Sequence, residues 1–169
     1  MRDYVPTINI SPLLKYNFDS VASKNTIEKI KKACVDVGFF QITEHGINKK
    51  DIVNITKVGK TFFNSSIKNK MKLAPKKWNK LNKHVYRGYF PNDVNGKEGL
   101  DIGDLNITKT HHLKFKSQYI EYLELSGAIN KKSTNILSNY FDQAFILGEI
   151  LFKSIIKLYK KDINNSKLA

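Results

Sequence analysis

A chain of 169 residues with 41% hydrophobic and 26% charged residues has the length and balance for one soluble domain with a core of its own. No run approaches the roughly 18 uncharged apolar residues of a membrane span, and the start MRDYVPTINI lacks the plan of a secretory signal. The lone Cys34 excludes an internal disulfide, so a reducing, cytoplasmic setting is expected.

The net charge of +14 would suit a nucleic-acid binder, yet only Arg2 and Arg87 among the 29 basic residues are arginine. Readers of phosphates and bases favour the planar guanidinium fork. The lysines are spread along the chain among Asn and Ile, which share A/T-rich codons. A solvated lysine surface explains the charge without a nucleic-acid partner.

In chain order, VPTINI (5–10) alternates Val5, Ile8 and Ile10 after a proline and predicts a short strand. A helix follows, with Asn25 as N-cap and Glu28 three residues on as a capping box. Ile27, Ile30, Cys34 and Val37 fall on its inner face, and Gly38 supplies the stop. Cys34 reads as a small core residue. FFQIT (39–43) is aromatic and β-branched, predicting a buried strand, and the chain turns through Gly46. Asn48 caps a second helix that turns Ile52, Ile55, Gly59, Phe62 and Phe63 inward. A third, about 65–74, ends at Pro75. Residues 76–83 form a polar, mobile loop anchored by Trp78. GLDIGDL (99–105) is the extended part of the next stretch, and 115–160 are helical. Leu137, Phe141, Ala144, Phe145, Leu151, Phe152, Ile155 and Tyr159 form an apolar stripe, with Asp142, Glu149, Lys153 and Lys157 off it.

The expectation is therefore an α+β chain, rich in helices, whose three short strands have no obvious partners and cannot close a sheet with hidden edges. The stripe at 137–159 is larger than the other elements can cover. Both features suggest that part of the fold is supplied from elsewhere.

Several segments carry a family likeness: VPTINISPLL at the start, ACVDVGFFQITEHGI at 33–47, FFNSSIKNKMKL at 62–73, and YRGYFP with GKEGLDIGD within 86–104. The second is the most specific, with its alanine-cysteine pair, Gly-Phe-Phe strand and His-Gly turn. Together they resemble the N-terminal region of the isopenicillin N synthase-like iron(II)/2-oxoglutarate dioxygenases. One departure is Glu44, where that family usually has asparagine. The likeness covers nearly all of residues 1–169 as a single N-terminal region, but only about the first half of such an enzyme.

The resemblance implies a fold normally packed on a double-stranded β-helix (jelly-roll) core. That core would hold iron through a His-x-Asp pair and a distant His, and 2-oxoglutarate through an Arg-x-Ser pair. Two imidazoles and one carboxylate on one face leave open positions for co-substrate and O₂. This chain lacks the set. His45, His84, His111 and His112 are followed two places on by Ile47, Tyr86, Leu113 and Lys114, and neither arginine has Ser two places on. No catalytic, cofactor-binding or metal residue is assigned; Fe(II) and 2-oxoglutarate are expected only in the complete enzyme.

His45 reads as a structural turn residue, and His111-His112 as a solvated pair. DVNGKEGLDIGD imitates a calcium loop, but with Asp93 first its sixth place is Glu98 where glycine is required. Within the family this segment borders the substrate entrance, making Arg87, Tyr89, Glu98 and Asp101 candidates for the substrate rim. The alternative for Arg87 is a structural pair with Glu98 or Asp101.

Three functions follow in order of preference. The first is an N-terminal half of an oxygenase for a small organic substrate, inactive alone, whose partner is the C-terminal jelly-roll half in cis or in trans. The second is a non-catalytic interaction module docking through the 137–159 face. The third is a basic nucleic-acid binder.

Overall fold

The structure, a computed structural model, describes residues 5–82, 85–92, 96–103, 125 and 127–166. The chain is helix-rich with a few short strands, and it forms two compact units. The first comprises residues 1–47 and 143–169; the second comprises 48–142. Among the described residues no helix is long and apolar enough to cross a membrane.

In the first unit, β1 (Thr7–Asn9) leads through the short α1 (Ser11–Lys15) to α2 (Val21–Asp36) and then β2 (Gln41–Thr43). The strands are not partnerless as expected. β1 and β2 pair in parallel, with Ile8 opposite Ile42, a register between residues 34 positions apart and so invisible to local pattern. Their apolar residues face α2, and Thr7, Asn9, Gln41 and Thr43 are exposed. β2 is thus only half-buried, with Phe39 61% exposed, where a buried strand was expected.

α2 begins five residues earlier than the predicted cap. Ser20, not Asn25, is the N-cap, its Oγ accepting the Ser23 N–H at 3.1 Å. Nothing from Val21 to Lys24 breaks a helix, so the earlier cap prevails. Ser23, Thr26, Ile27, Ile30 and Ala33 are the buried residues. Cys34 and Val37 share the direction of that stripe, but cover runs out at the last turn and both are exposed, correcting their assignment to the core. Gly38 ends the helix as expected, with φ of 90° and its N–H donating to the Ala33 carbonyl.

The first core gathers Ile8, Ile10, Leu13, Ile27, Ile30, Ala33 and Leu158. Each large aliphatic buried here contributes about 1.5–3 kcal/mol. Lys157 ties the final helix to Asp19 through an ion pair.

Glu44 follows β2 with a φ of 53°, the one non-glycine residue with positive φ among those described. The left-handed region costs an L-residue other than Gly, Asn or Asp about 1–2 kcal/mol. Replacing Glu44 with glycine is therefore expected to raise the unfolding free energy by about 0.5–1 kcal/mol, and asparagine to recover part of that. Glu44→Ala should give no gain. Urea titration of the four proteins side by side checks the order.

The second unit opens with α3 (Lys49–Phe63), capped as predicted by Asn48, whose Oδ1 accepts the Lys50 N–H at 2.8 Å. Phe62 is buried, Ile52, Ile55 and Phe63 are half-buried, and Val58 joins the core where Gly59 was expected. α4 is only Ile67–Met71, capped by Ser66. The segment after Pro75 forms hydrogen-bonded turns, with Asn82 buried and donating to the Lys72 and Ala74 carbonyls. Trp78 anchors it edge-on against Phe90 at 5.7 Å. β3 (Gly88–Phe90) and β4 (Gly99–Asp101) pair antiparallel.

The last helix, α5 (Lys131–Ser166), starts later than the predicted residue 115; residues 115–124 lie outside the described residues, as do Asp104, Leu105 and the Tyr159 side chain. Leu137 is buried, while Phe141, Ala144, Leu151 and Ile155 are half-buried. Phe145 and Phe152, on the stripe expected to exceed the cover available, are about 60% exposed. Leu147, Ile150 and Leu158 take the inner positions instead. Phe145, Phe152 and Ile156 recur at seven and four residues, so they form a second apolar line along the helix, open to solvent.

Candidate functional site

The rim candidates come together on the β3–β4 hairpin. Gly88, at φ of 107°, makes the backbone bend that only glycine takes without strain. It places Tyr89 under the hairpin, where the Tyr89 N–H donates to the Leu73 carbonyl at 3.0 Å. The ring packs edge-on against Phe62, with centroids 6.0 Å apart. Tyr89 is buried, 1% exposed.

Glu98 is also turned inward. One of its oxygens accepts both the Lys70 ammonium at 2.7 Å and the Tyr89 hydroxyl at 2.6 Å. Lys70, itself buried, further donates to the Phe63 carbonyl at 3.0 Å and lies over the Tyr89 ring at 5.4 Å. The expected pairing of Arg87 with Glu98 or Asp101 does not form: Lys70 has taken Glu98, and Arg87 and Asp101 are exposed without an ion pair among the described residues. Lys70 carried no signal in the sequence. It is one lysine among many, and only the packing of α4 against the hairpin singles it out.

The charges settle one another. The hydrogen bond from Lys70, then that from Tyr89, holds the Glu98 carboxyl below its ordinary 4.5. The same bond to Glu98 lifts Lys70 above 10.5. Burial, then the bond to Glu98, raises Tyr89 above 10.0. At neutral pH the three are carboxylate, ammonium and neutral phenol, so none is poised to exchange a proton. The triad ties the hairpin to α4, and Arg87, Asn92, Lys97 and Asp101 are among the polar side chains exposed on the hairpin.

The histidine expected to be structural is so. His45 Nδ1 accepts the Ile47 N–H at 3.2 Å and closes the turn before α3. It borders an apolar hollow of about 210 Å³ lined by Leu14, Ile47, Ile146, Leu147 and Ile150, with no carboxylate. Among the described residues no group of three His, Cys, Asp or Glu side chains gathers in a way that fits a metal. His84, His111, His112 and Asp93 lie outside the described residues. No acid stands two places after any histidine of the sequence.

Comparison with known proteins gives the lineage. Residues 5–124 match the family described as non-haem dioxygenase in morphine synthesis, N-terminal. The chain is 38% identical over 87 residues to isopenicillin N synthase of Streptomyces clavuligerus, a match covering 52% of this chain and 25% of that protein. It is 34% identical over 97 residues to isopenicillin N synthase of Streptomyces jumonjinensis, covering 57% and 28%. A 2-oxoglutarate-dependent dioxygenase of Didymella fabae is 35% identical over 60 residues, covering 36% and 18%. The matched part spans less than a third of each of these relatives. Since the family match takes in well over half of the sequence, the chain belongs to the non-haem dioxygenases and carries their N-terminal region.

Proposed function

We propose that the chain is the N-terminal half of an iron(II)/2-oxoglutarate-dependent oxygenase of a small organic substrate, silent alone and completed by a C-terminal jelly-roll half in cis or in trans. The observation carrying this reading is the family match over 5–124, in a sequence where no acid stands two places after any histidine. In the complete enzyme, iron and 2-oxoglutarate supply the activation of O₂. The part of this chain is to build one wall of the substrate entrance. Arg87 and Asp101 stand exposed on a hairpin fixed by the Lys70–Glu98–Tyr89 lock, and a guanidinium there is suited to a carboxylate on the substrate.

The open line of Phe145, Phe152 and Ile156 supports a docking role within this reading. A short two-stranded parallel sheet likewise favours further cover, since parallel sheets are seldom left open.

Succinate formation from 2-oxoglutarate with ferrous iron and ascorbate tests the proposal. The chain alone is expected to match a no-protein control, and addition of a C-terminal half carrying His-x-Asp, a later His and Arg-x-Ser should restore turnover. The Phe145→Asp/Phe152→Asp double variant should fold but lose most of the restored rate. Turnover by the repurified chain alone, abolished by chelator, would sink the proposal.

A further inference from the structure

We propose that the outer edge of β1 binds an extended peptide strand of another protein, one that alternates apolar and acidic residues. The Gln41 N–H donates to the Pro6 carbonyl at 2.8 Å, and the Ile10 N–H donates to the Thr43 carbonyl at 3.1 Å. In a parallel ladder, alternate residues turn both backbone groups to the same neighbour. Residues 6, 8 and 10 therefore face β2, and Thr7 and Asn9 direct their N–H and C=O groups to the opposite side. Among the described residues those groups have no backbone partner. They ask for another strand, since only extended backbone matches their spacing.

Beside that edge, between β1 and α2, lies a cavity of about 220 Å³. Its walls include Pro6, Ile8, Ala33 and Val37, and no β2 residue lines it. It is smaller than the roughly 300–1,000 Å³ of sites for drug-sized ligands, and its scale is that of one large apolar side chain. A strand added to β1 sends every second side chain to the face that holds this cavity. The cavity is also bordered by Lys29, which has no ion pair among the described residues, and by Lys32, which is paired with Asp36 at 3.2 Å. Lys29 calls for an acidic residue near the anchor. Charge also decides between occupants: two copies carrying +14 each repel one another, whereas an acidic segment is attracted.

The probe is a blocked, fluorescein-labelled heptapeptide alternating Leu and Glu, followed by anisotropy on the full chain. Side-chain direction and N–H direction alternate together along a strand, so all Leu nitrogens face one way and all Glu nitrogens the other. Methylating one of the two sets is expected to weaken binding at least tenfold, and methylating the other to leave it unchanged. Thr7→Pro, which removes an outward N–H together with the exposed Thr7 hydroxyl bond to Gln41 Oε1, should weaken the unmodified peptide to a similar degree, and Thr7→Val, which removes only that hydroxyl bond, should not. Lys29→Glu should weaken it several-fold and improve a Leu-Lys peptide. If Thr7→Pro proves unstable, the methylated pair still decides. Equal binding of both methylated peptides would mean attraction by charge alone and would overturn the proposal. So would no binding at millimolar peptide, or a peptide displaced by self-association of the chain.

Discussion

Replacing Glu98 with alanine is expected to lower the unfolding free energy of the 48–142 unit by about 3 kcal/mol, because it leaves the Lys70 ammonium buried without its counter-charge. Lys70 keeps only the Phe63 carbonyl, and the Tyr89 hydroxyl loses its acceptor. Glu98→Gln retains an oxygen for Tyr89 and should cost less, about 2 kcal/mol. Lys70→Met should cost less again, since Glu98 keeps the tyrosine and some access to water. The chain reports on this unit directly, because its single tryptophan, Trp78, packs there against Phe90.

The same lock sets a pH window. The folded carboxyl of Glu98 lies below its ordinary 4.5, so its contribution is present above pH 4.5 and is lost as the pH falls through the lower folded value. Lys70 and Tyr89 are both raised, so their contributions are present below 10.5 and 10.0 and are lost as the pH rises through the higher folded values. Urea unfolding followed by Trp78 fluorescence should show a plateau between these limits. Glu98→Ala should flatten the acid limb, and an unchanged acid limb in that variant would exclude Glu98 as its source.

Phe62→Ala is expected to have the largest effect of any single truncation, about 4 kcal/mol. Phe62 is 3% exposed and meets Phe63 and Tyr89 edge-on at 5.3 and 6.0 Å. In a chain of this size the loss corresponds to a fall in Tm of about 8–16 °C. Phe152→Ala removes an equal volume from a residue 63% exposed and should change stability by less than about 0.5 kcal/mol. The Phe62→Ala and Glu98→Ala losses should not add, since Tyr89 links the two sites through its ring and its hydroxyl. Calorimetry of both singles and the double variant measures that coupling; simple additivity would show that Tyr89 does not transmit it.

What the sequence revealed was what local chemistry decides. Asn48 before an apolar-periodic run, Gly38 after one and Gly46 in a turn each act through neighbours a few residues away, and each stands where expected. The family likeness was readable for the same reason, in short motifs of fixed spacing. Legibility failed where two local signals competed, as at Ser20 and Asn25, and where burial depends on distant cover, as at Cys34 and Val37. The candidate site was half legible. Tyr89 and Glu98 were singled out in the sequence, but their bond to each other and to Lys70 was not. Their inward role depends on Lys70, 28 residues before Glu98, and no periodicity marks that distance.

The division of the chain into a contiguous stretch, 48–142, and a unit assembled from 1–47 with 143–169 has a consequence for synthesis. The inner stretch can fold as soon as it leaves the ribosome. Residues 5–47 cannot, because Leu147, Ile150, Leu151 and Leu158, which pack with Ile8, Ile27 and Ile30, are made about 100 residues later. At bacterial to eukaryotic elongation rates the wait lasts about 5–20 seconds. Through that interval an apolar amphipathic segment and two unpaired strands stand open to chaperones and to neighbouring nascent chains. Residues 5–47 therefore fold after the 48–142 stretch that follows them, and the yield in cells should respond to translation speed between residues 48 and 142 more than to the stability of either unit.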